Sequence, residues 1–249
     1  MSRMPLRTIL FGVVAVLSAG VCVRLGLWQL DRLAQRREKN ALVAAQRSTT
    51  PVSISELRNQ DTSAIHWRHV TLRGVADYGA EVVHASRSQA GAPGVHLLTP
   101  VRPLDGTWGD TSVLVLRGYL YSADGRTIDW AQARESDTLT VDALVMEYSP
   151  TRDGAVRMPS TTRAVRFVDR DTLQQIMGKP LAPFVLLALG DTVPRDVVKP
   201  ARVPPPSLSE GAHKSYAFQW FAFATVALVG FVAVARSDAQ RAEQKRLGH

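Results

Sequence analysis

The feature that most constrains this chain is the apolar run Tyr216–Val234, YAFQWFAFATVALVGFVAV, with no charged side chain between Ser215 and Ala235. Wound as a helix it rises roughly 28 Å, close to the ~30 Å hydrocarbon core of a bilayer. Aromatic residues crowd its start (Tyr216, Phe218, Trp220, Phe221, Phe223) and Arg236 closes its end, as an interfacial belt and a polar stop do. Buried helices of soluble cores seldom run so long without a charge. The run reads as a membrane-spanning helix over 213–235.

A second apolar segment opens the chain. Met1–Thr8 is short and basic, Ile9–Val23 is unbroken apolar, and after Arg24 the apolar character resumes to Leu30. A secretory signal peptide begins in the same way, with Ser18-Ala19-Gly20 as a passable cleavage site. Two features favour a retained helix over 9–30: the resumption past Arg24, and Trp28 as an interfacial aromatic. Arg24 lies near enough to the end for its side chain to snorkel outward. Cys22 is the only cysteine, and Val21 before it rules out a lipobox. No disulfide framework and no Cys-based zinc site can be built from it. Asp31–Arg47 holds strong helix formers and neither Gly nor Pro, so the helix is expected to continue as a charged juxtamembrane stalk.

Thirty Lys and Arg against 22 Asp and Glu give a formal charge of +8. The two basic clusters, Arg32–Lys39 and Arg236–Arg246, both adjoin apolar segments. They read as membrane-flanking charge, so a lipid bilayer is the expected partner and nucleic acid is not.

Residues 48–212 have the texture of a separate β-rich domain. Strand-like segments begin with Trp67–Ala76, where Val70 and Leu72 fall on one side. EVVHAS, GVHLLTPV, SVLVLRGYLY, TLTVDALVMEY, VRFVDR and FVLLAL follow, separated by Gly, Pro, Asp and Ser clusters. Asp171–Met177 alone reads as a short helix, capped by Asp169 and ended by Gly178. Pro200–Pro206 reads as a stiff, extended linker into the last helix. The expected fold is that of a membrane protein in which two transmembrane α-helices flank a β-rich (α+β) domain, a small antiparallel barrel or sandwich.

Two spans place both termini on one side. The basic N-terminus (1–8) and the tail 236–249 favour the cytoplasm, which makes the β-rich domain extracytoplasmic and the protein a multi-pass protein of the plasma membrane. Arg32, Arg36, Arg37 and Lys39 oppose a simple charge count, but a long translocated domain is largely indifferent to that rule.

Catalytic motifs are absent: no HExxH, no Gly-x-Ser-x-Gly, no phosphate-cradling glycine loop and no cysteine pair occurs. His66 and His69 fall on opposite faces of a strand and make a poor metal pair. Nothing compels an enzyme, and an extracytoplasmic hydrolase lacks a nucleophile constellation. The start of the second span is richer. If that helix begins a turn early, His213, Tyr216, Ala217 and Trp220 share one face. Antiparallel travel brings Trp28 and Gln29 to a similar depth. A neutral imidazole beside an aromatic wall suits an axial ligand of haem iron, and equally suits an interfacial histidine bonded to headgroups and water. Gln219, one turn into hydrocarbon, needs a polar partner such as Gln29 or helix backbone.

These residues carry a resemblance. Gly26-Leu27-Trp28-Gln29 with Arg32 resembles the G-x-W-Q-x-x-R end of the first helix in the surfeit locus protein family. His69–Gly74, Gly94–Pro100 and Val113–Tyr119 are similar to that family's V-x-x-x-G, G-x-x-x-x-T-P and VLVNRGW segments, and His213–Phe221 to its H-x-x-YAxQWF motif. Leu116 departs from the usual Asn, and Tyr119 and Tyr121 stand where Trp and Pro are common. The resemblance implies a non-catalytic factor of cytochrome c oxidase biogenesis. Such a factor assists haem a insertion into subunit I or stabilises that subunit, with subunit I and haem a synthase as partners. His213 becomes the haem iron contact, with Trp28, Gln29, Tyr216, Gln219 and Trp220 lining the helix pair. Arg117 and Gly118 would serve the domain's fold or a partner surface. The alternative is a membrane-anchored extracytoplasmic scaffold, a protein-binding module without haem.

Overall fold

The computed structural model describes residues 5–131, 133–149, 163–190 and 200–247. Arg3 and His249 lie outside the described residues. The order of elements is α1 (Leu6–Arg47), β1 (Val52–Ser53), a 3-10 turn (Ile54–Leu57), α2 (Thr62–Ile65), β2 (His69–Ala76), β3 (Val82–Gln89), β4 (Ala92–Pro103), β5 (Ser112–Tyr121), β6 (Thr138–Met146), β7 (Ala164–Val165), α3 (Arg170–Met177), β8 (Leu181–Ala188) and α4 (His213–Leu247). Two compact units result, Met1–Leu42 with Leu208–His249, and Val43–Ser207.

In the first unit α1 and α4 pack antiparallel. The buried residues of α1 are Thr8, Gly12, Ala15, Ala19, Gly26 and Leu33. Their steps are 4, 3, 4, 7 and 7 residues, combinations of three and four that keep one seam on the partner. Ala217 and Ala224 are the buried positions opposite. Small seam residues let the backbones approach. A Cβ on Gly12 would lie 2.6 Å from the Phe231 ring, and one on Gly26 2.7 Å from Phe221, so the phenylalanines fill what the glycines leave open. Polar clasps sit at both ends: Arg7 with Asp238 at 3.1 Å, and Arg37 with Glu210 through two bonds of 2.7 and 2.9 Å. Away from the seam, Leu10, Val14, Leu17, Phe218, Val226 and Val229 are exposed. Both helices are long and apolar enough to cross a membrane.

The second unit is built on a closed β-barrel. Its strands run β2-β6-β8-β5-β4, and a β2–β4 pairing (Gly74–Ala76 with Val101–Pro103) shuts the ring. Alternation decides what faces in. Val70 and Leu72 from β2, Val113 and Val115 from β5, Val141 and Ala143 from β6, and Phe184 and Leu186 from β8 share one core, capped by Ile54, Leu57 and Trp108. On the opposite face Leu114, Leu116, Val185 and Leu187 pack beneath Leu173 and Met177 of α3. That helix begins where the Asp169 carboxylate accepts the Thr172 N–H at 2.9 Å and ends at Gly178, whose φ of 65° is left-handed.

Several expectations are corrected. The barrel is mixed rather than antiparallel, because β8 runs parallel to β5; α3 supplies a crossover that returns the chain in that sense. VRFVDR contributes only the end of β7 and then bends into the Asp169 cap. The strand expected from Trp67 starts at His69, since Trp67 takes a φ of 67° after α2. Asp171–Met177 is not the only short helix: the 3-10 turn and α2 precede it, each capped by its own side chain, Ser53 and Asp61. Nor does Pro200–Pro206 begin as a free linker. Ala201 exchanges two backbone hydrogen bonds with Tyr119, at 2.7 and 2.9 Å. Gly118 permits this approach, because a Cβ there would lie 2.6 Å from the Ala201 carbonyl oxygen.

Candidate functional site

His213 is the first residue of α4, and Gln29 lies on α1 between the buried seam positions Gly26 and Leu33. The two side chains meet: His213 Nδ1 is 2.8 Å from Gln29 Oε1. An amide oxygen can only accept, so Nδ1 is the donor in this contact, and in the neutral ring Nε2 is the nitrogen left with a lone pair. Both residues are half-buried. This amide-to-imidazole contact fixes tautomer and ring orientation, which is what an outer partner does for a metal-bound histidine.

The other expected residues distribute around this pair. Trp220 is half-buried, edge-on to Phe223 with centroids 6.0 Å apart. Trp28 is exposed beneath the Arg32 guanidinium, which sits 5.6 Å from its ring centroid. Tyr216 and Gln219 are exposed on α4, whereas Ala217 is buried. The structure thus joins His213 to Gln29 and turns Trp28, Tyr216 and Gln219 away from the seam. The Gln29 oxygen expected to serve Gln219 is engaged by His213. Neighbouring polar side chains bond to backbone: Arg36 and Asn40 donate to the Ser209 carbonyl, and Asn40 also to that of Leu208.

Inside the barrel unit a second polar assembly surrounds Arg117. Its side chain and that of Glu81 are each 1% exposed and lie 2.7 Å apart. Arg117 also bonds Glu135 at 2.8 Å and the Thr99 hydroxyl at 3.2 Å, while Thr99 donates to Glu81. Arg202 closes the group, reaching Glu135 at 3.0 Å and the Arg117 carbonyl at 2.5 Å. Two positive and two negative groups balance, as buried charge requires. Burial lowers the Arg117 guanidinium's affinity for its proton, but Glu81 and Glu135 outweigh it and the net shift is upward. Glu135 is raised by burial and lowered more by Arg202 and Arg117, so it falls below the usual carboxylate range. Arg117 and Gly118 therefore hold the fold together: one neutralises the barrel's buried carboxylate, the other admits the Ala201 backbone. A lone arginine in the otherwise apolar run SVLVLRGYLY was the available signal; which carboxylates answer it was not. Among the described residues, no three His, Cys, Asp or Glu side chains gather as a metal site.

A closed barrel module bracketed in sequence by two apolar helices, with a histidine–amide pair on their seam, defines a class of protein suited to membrane anchorage. The match to the SURF1 family covers residues 16–225, and the chain belongs to that family, known generally as cytochrome oxidase assembly factors. It is similar to a SURF1-like protein of Rickettsia felis, 21% identical over 226 residues that cover 90% of this chain and 96% of the relative. It is also similar to an uncharacterised SURF1-like protein of Mycobacterium bovis, 28% identical over 225 residues, covering 87% and 79% of the two chains.

Proposed function

We propose that α1 and α4 span the plasma membrane with both termini cytoplasmic, present the barrel outside, and serve the biogenesis of cytochrome c oxidase. In this reading the protein is a chaperone, not an enzyme. It assists haem a insertion into subunit I, or steadies that subunit during assembly, and receives its cargo from haem a synthase. The observation that supports it is the His213–Gln29 contact of 2.8 Å. A haem supplies an iron with axial positions that take a neutral imidazole nitrogen. His213 fits such a group: its Nδ1–H is held by Gln29 and its Nε2 lone pair is available at a half-buried position. Trp220 offers an adjacent aromatic surface, and Trp28, Tyr216 and Gln219 face outward at the same end of the helix pair. A single histidine with an uncharged partner binds more weakly than a bis-ligated site, which suits cargo that must be released. The exposed apolar side chains on both helices support insertion in lipid, where they are solvated at no cost.

The test uses the full chain purified from cells that make haem a. Wild-type protein is expected to carry a haem a absorbance that His213→Ala loses and Gln29→Leu weakens. An unchanged spectrum in His213→Ala removes the assignment. Protease added to intact spheroplasts is expected to cut within the barrel; a fully protected barrel overturns the orientation.

A further inference from the structure

A cavity of about 250 Å³ lies in the barrel unit, on the sheet face that also packs beneath α3. Strand pairing lays out its floor. Met146 of β6 is the register partner of Val185 on β8, Leu187 of β8 that of Leu116 on β5, and His96 of β4 that of His84 on β3. All six line the cavity. The floor therefore crosses five strands, and four strand spacings span about 19 Å along the sheet. Off the sheet the walls are Val168, Val203, Pro204 and Pro206. Apolar cavities of this kind stay dry and take apolar ligands.

The two ends of this groove differ in charge. At the β3 end the His84 and His96 rings stand edge to face, centroids 6.0 Å apart, and Arg87 joins them on the wall. Burial, reinforced by Arg87, pushes the His84 ring down to about 4. Burial and then the charges of His84 and Arg87 do the same for His96, also to about 4. Both rings are uncharged at neutral pH, so Arg87 is the one positive charge among the lining residues. Its Nε donates to the Ala85 carbonyl at 3.1 Å, and among the described residues it makes no ion pair. At the β6 end the groove meets Glu147, whose carboxylate lies 3.7 Å from His66 and repels a second anion.

We propose that this groove binds a free fatty acid, with the carboxylate on Arg87 and the methyl end toward Met146. Length, volume and charge each select that ligand. One lipid tail reaches ~15 Å, half the ~30 Å hydrocarbon core of a bilayer; the groove's span of about 19 Å adds only the room a head group needs. Its volume of about 250 Å³ falls below the ~300–1,000 Å³ of sites for drug-sized ligands, so it holds one chain and not the two of a phospholipid. The terminal nitrogens of a guanidinium form a fork that matches a carboxylate. A single arginine balances a single negative charge, and Glu147 at the opposite end sets the direction in which the chain lies.

In the experiment the full chain, held in phosphatidylcholine nanodiscs, is irradiated with a myristic acid probe that carries a diazirine near its methyl end, and the labelled peptides are mapped. Saturable labelling is expected at Met146, Val185 or Leu187, and excess unlabelled myristate should compete it away. The methyl ester of the same probe, and the acid on Arg87→Gln, should each label about tenfold less or weaker still, as loss of a hydrogen bond to a charged group requires. Label confined to α1 and α4 reports contact with the lipid phase only and overturns the proposal. Labelling that myristate fails to compete does so too, since it marks a groove already held by phospholipid. Equal labelling by acid and ester, or of Arg87→Gln and the parent, also overturns it. Should Arg87→Gln prove misfolded by circular dichroism, the comparison of acid with ester on the parent chain decides.

Discussion

Arg117→Ala offers the sharpest test of how the barrel is held together. The substitution deletes the guanidinium that meets Glu81 at 2.7 Å, where both side chains are 1% exposed. Glu135 keeps Arg202 at 3.0 Å and remains partly solvated at 23% exposure. Glu81 keeps only the Thr99 hydroxyl among the described residues, so one carboxylate is left buried without a counter-charge. Breaking a buried pair by removing one partner costs about 3–5 kcal/mol. For a unit of this size each kcal/mol lowers the melting temperature by about 2–4 °C, so a fall of about 6–20 °C is expected. The assay is thermal unfolding of the detergent-solubilised full chain, followed by near-ultraviolet circular dichroism, to which the buried Trp108 contributes. Replacing the pair together, Arg117→Leu with Glu81→Leu, removes both charges and should recover most of the loss. A single variant within about 1 kcal/mol of the parent, or a double variant as unstable as the sum of its singles, refutes the argument.

Other consequences are open to measurement. The His84 and His96 rings take up a proton in the unfolded chain below about 6.5 but resist it in the fold until about 4. Stability is therefore complete above pH 6.5 and falls as pH drops toward 4, by about 3 kcal/mol for the first ring to be charged. His84→Asn with His96→Asn should flatten that limb of a pH–melting profile, and an unaltered limb would contradict it. Gly118→Ala drives a Cβ onto the Ala201 carbonyl and should destabilise by about 1–3 kcal/mol. Amide exchange should quicken at Tyr119 and Ala201, and protected amides there would show that the approach is not tight. Gly26→Val meets the Phe221 ring and should spread the helix pair. Disulfide formation between Arg37→Cys and Glu210→Cys, in a Cys22→Ser background, should then fall several-fold; undiminished cross-linking would show that the seam adapts.

What could be read from the sequence follows the range of the interactions. The helices announce themselves locally, through charge-free runs and the Asp169 and Gly178 caps. The strands do so through alternation, as Val70 and Leu72 illustrate. Ring closure depends on Gly74–Ala76 meeting Val101–Pro103, a pairing that neither segment declares. The parallel placement of β8 beside β5 is equally silent. His84 and His96 oppose each other only because the β3–β4 register sets them so; it then shifts between His84 and Arg87. Spacing arguments do not compute that shift. Proline content alone suggested a linker at Pro200–Pro206, although backbone pairing at Ala201 is decided by the absence of a side chain on Gly118. On the helix pair, the sequence placed Gln29 and His213 at one depth, but their direct bond needed side-chain geometry.

The strand order has a bearing on when the domain can mature. Of the contacts that make up the ring, only β4 with β5 joins consecutive strands; every other seam waits for a distant segment. The wall stays open until Leu181–Ala188 arrives, and its internal charges are matched only once Arg202 docks. Long-range closure of this kind is slow. A nascent chain will therefore carry its first apolar helix complete, and most of its β-structure unfinished, until only the last helix remains to be made.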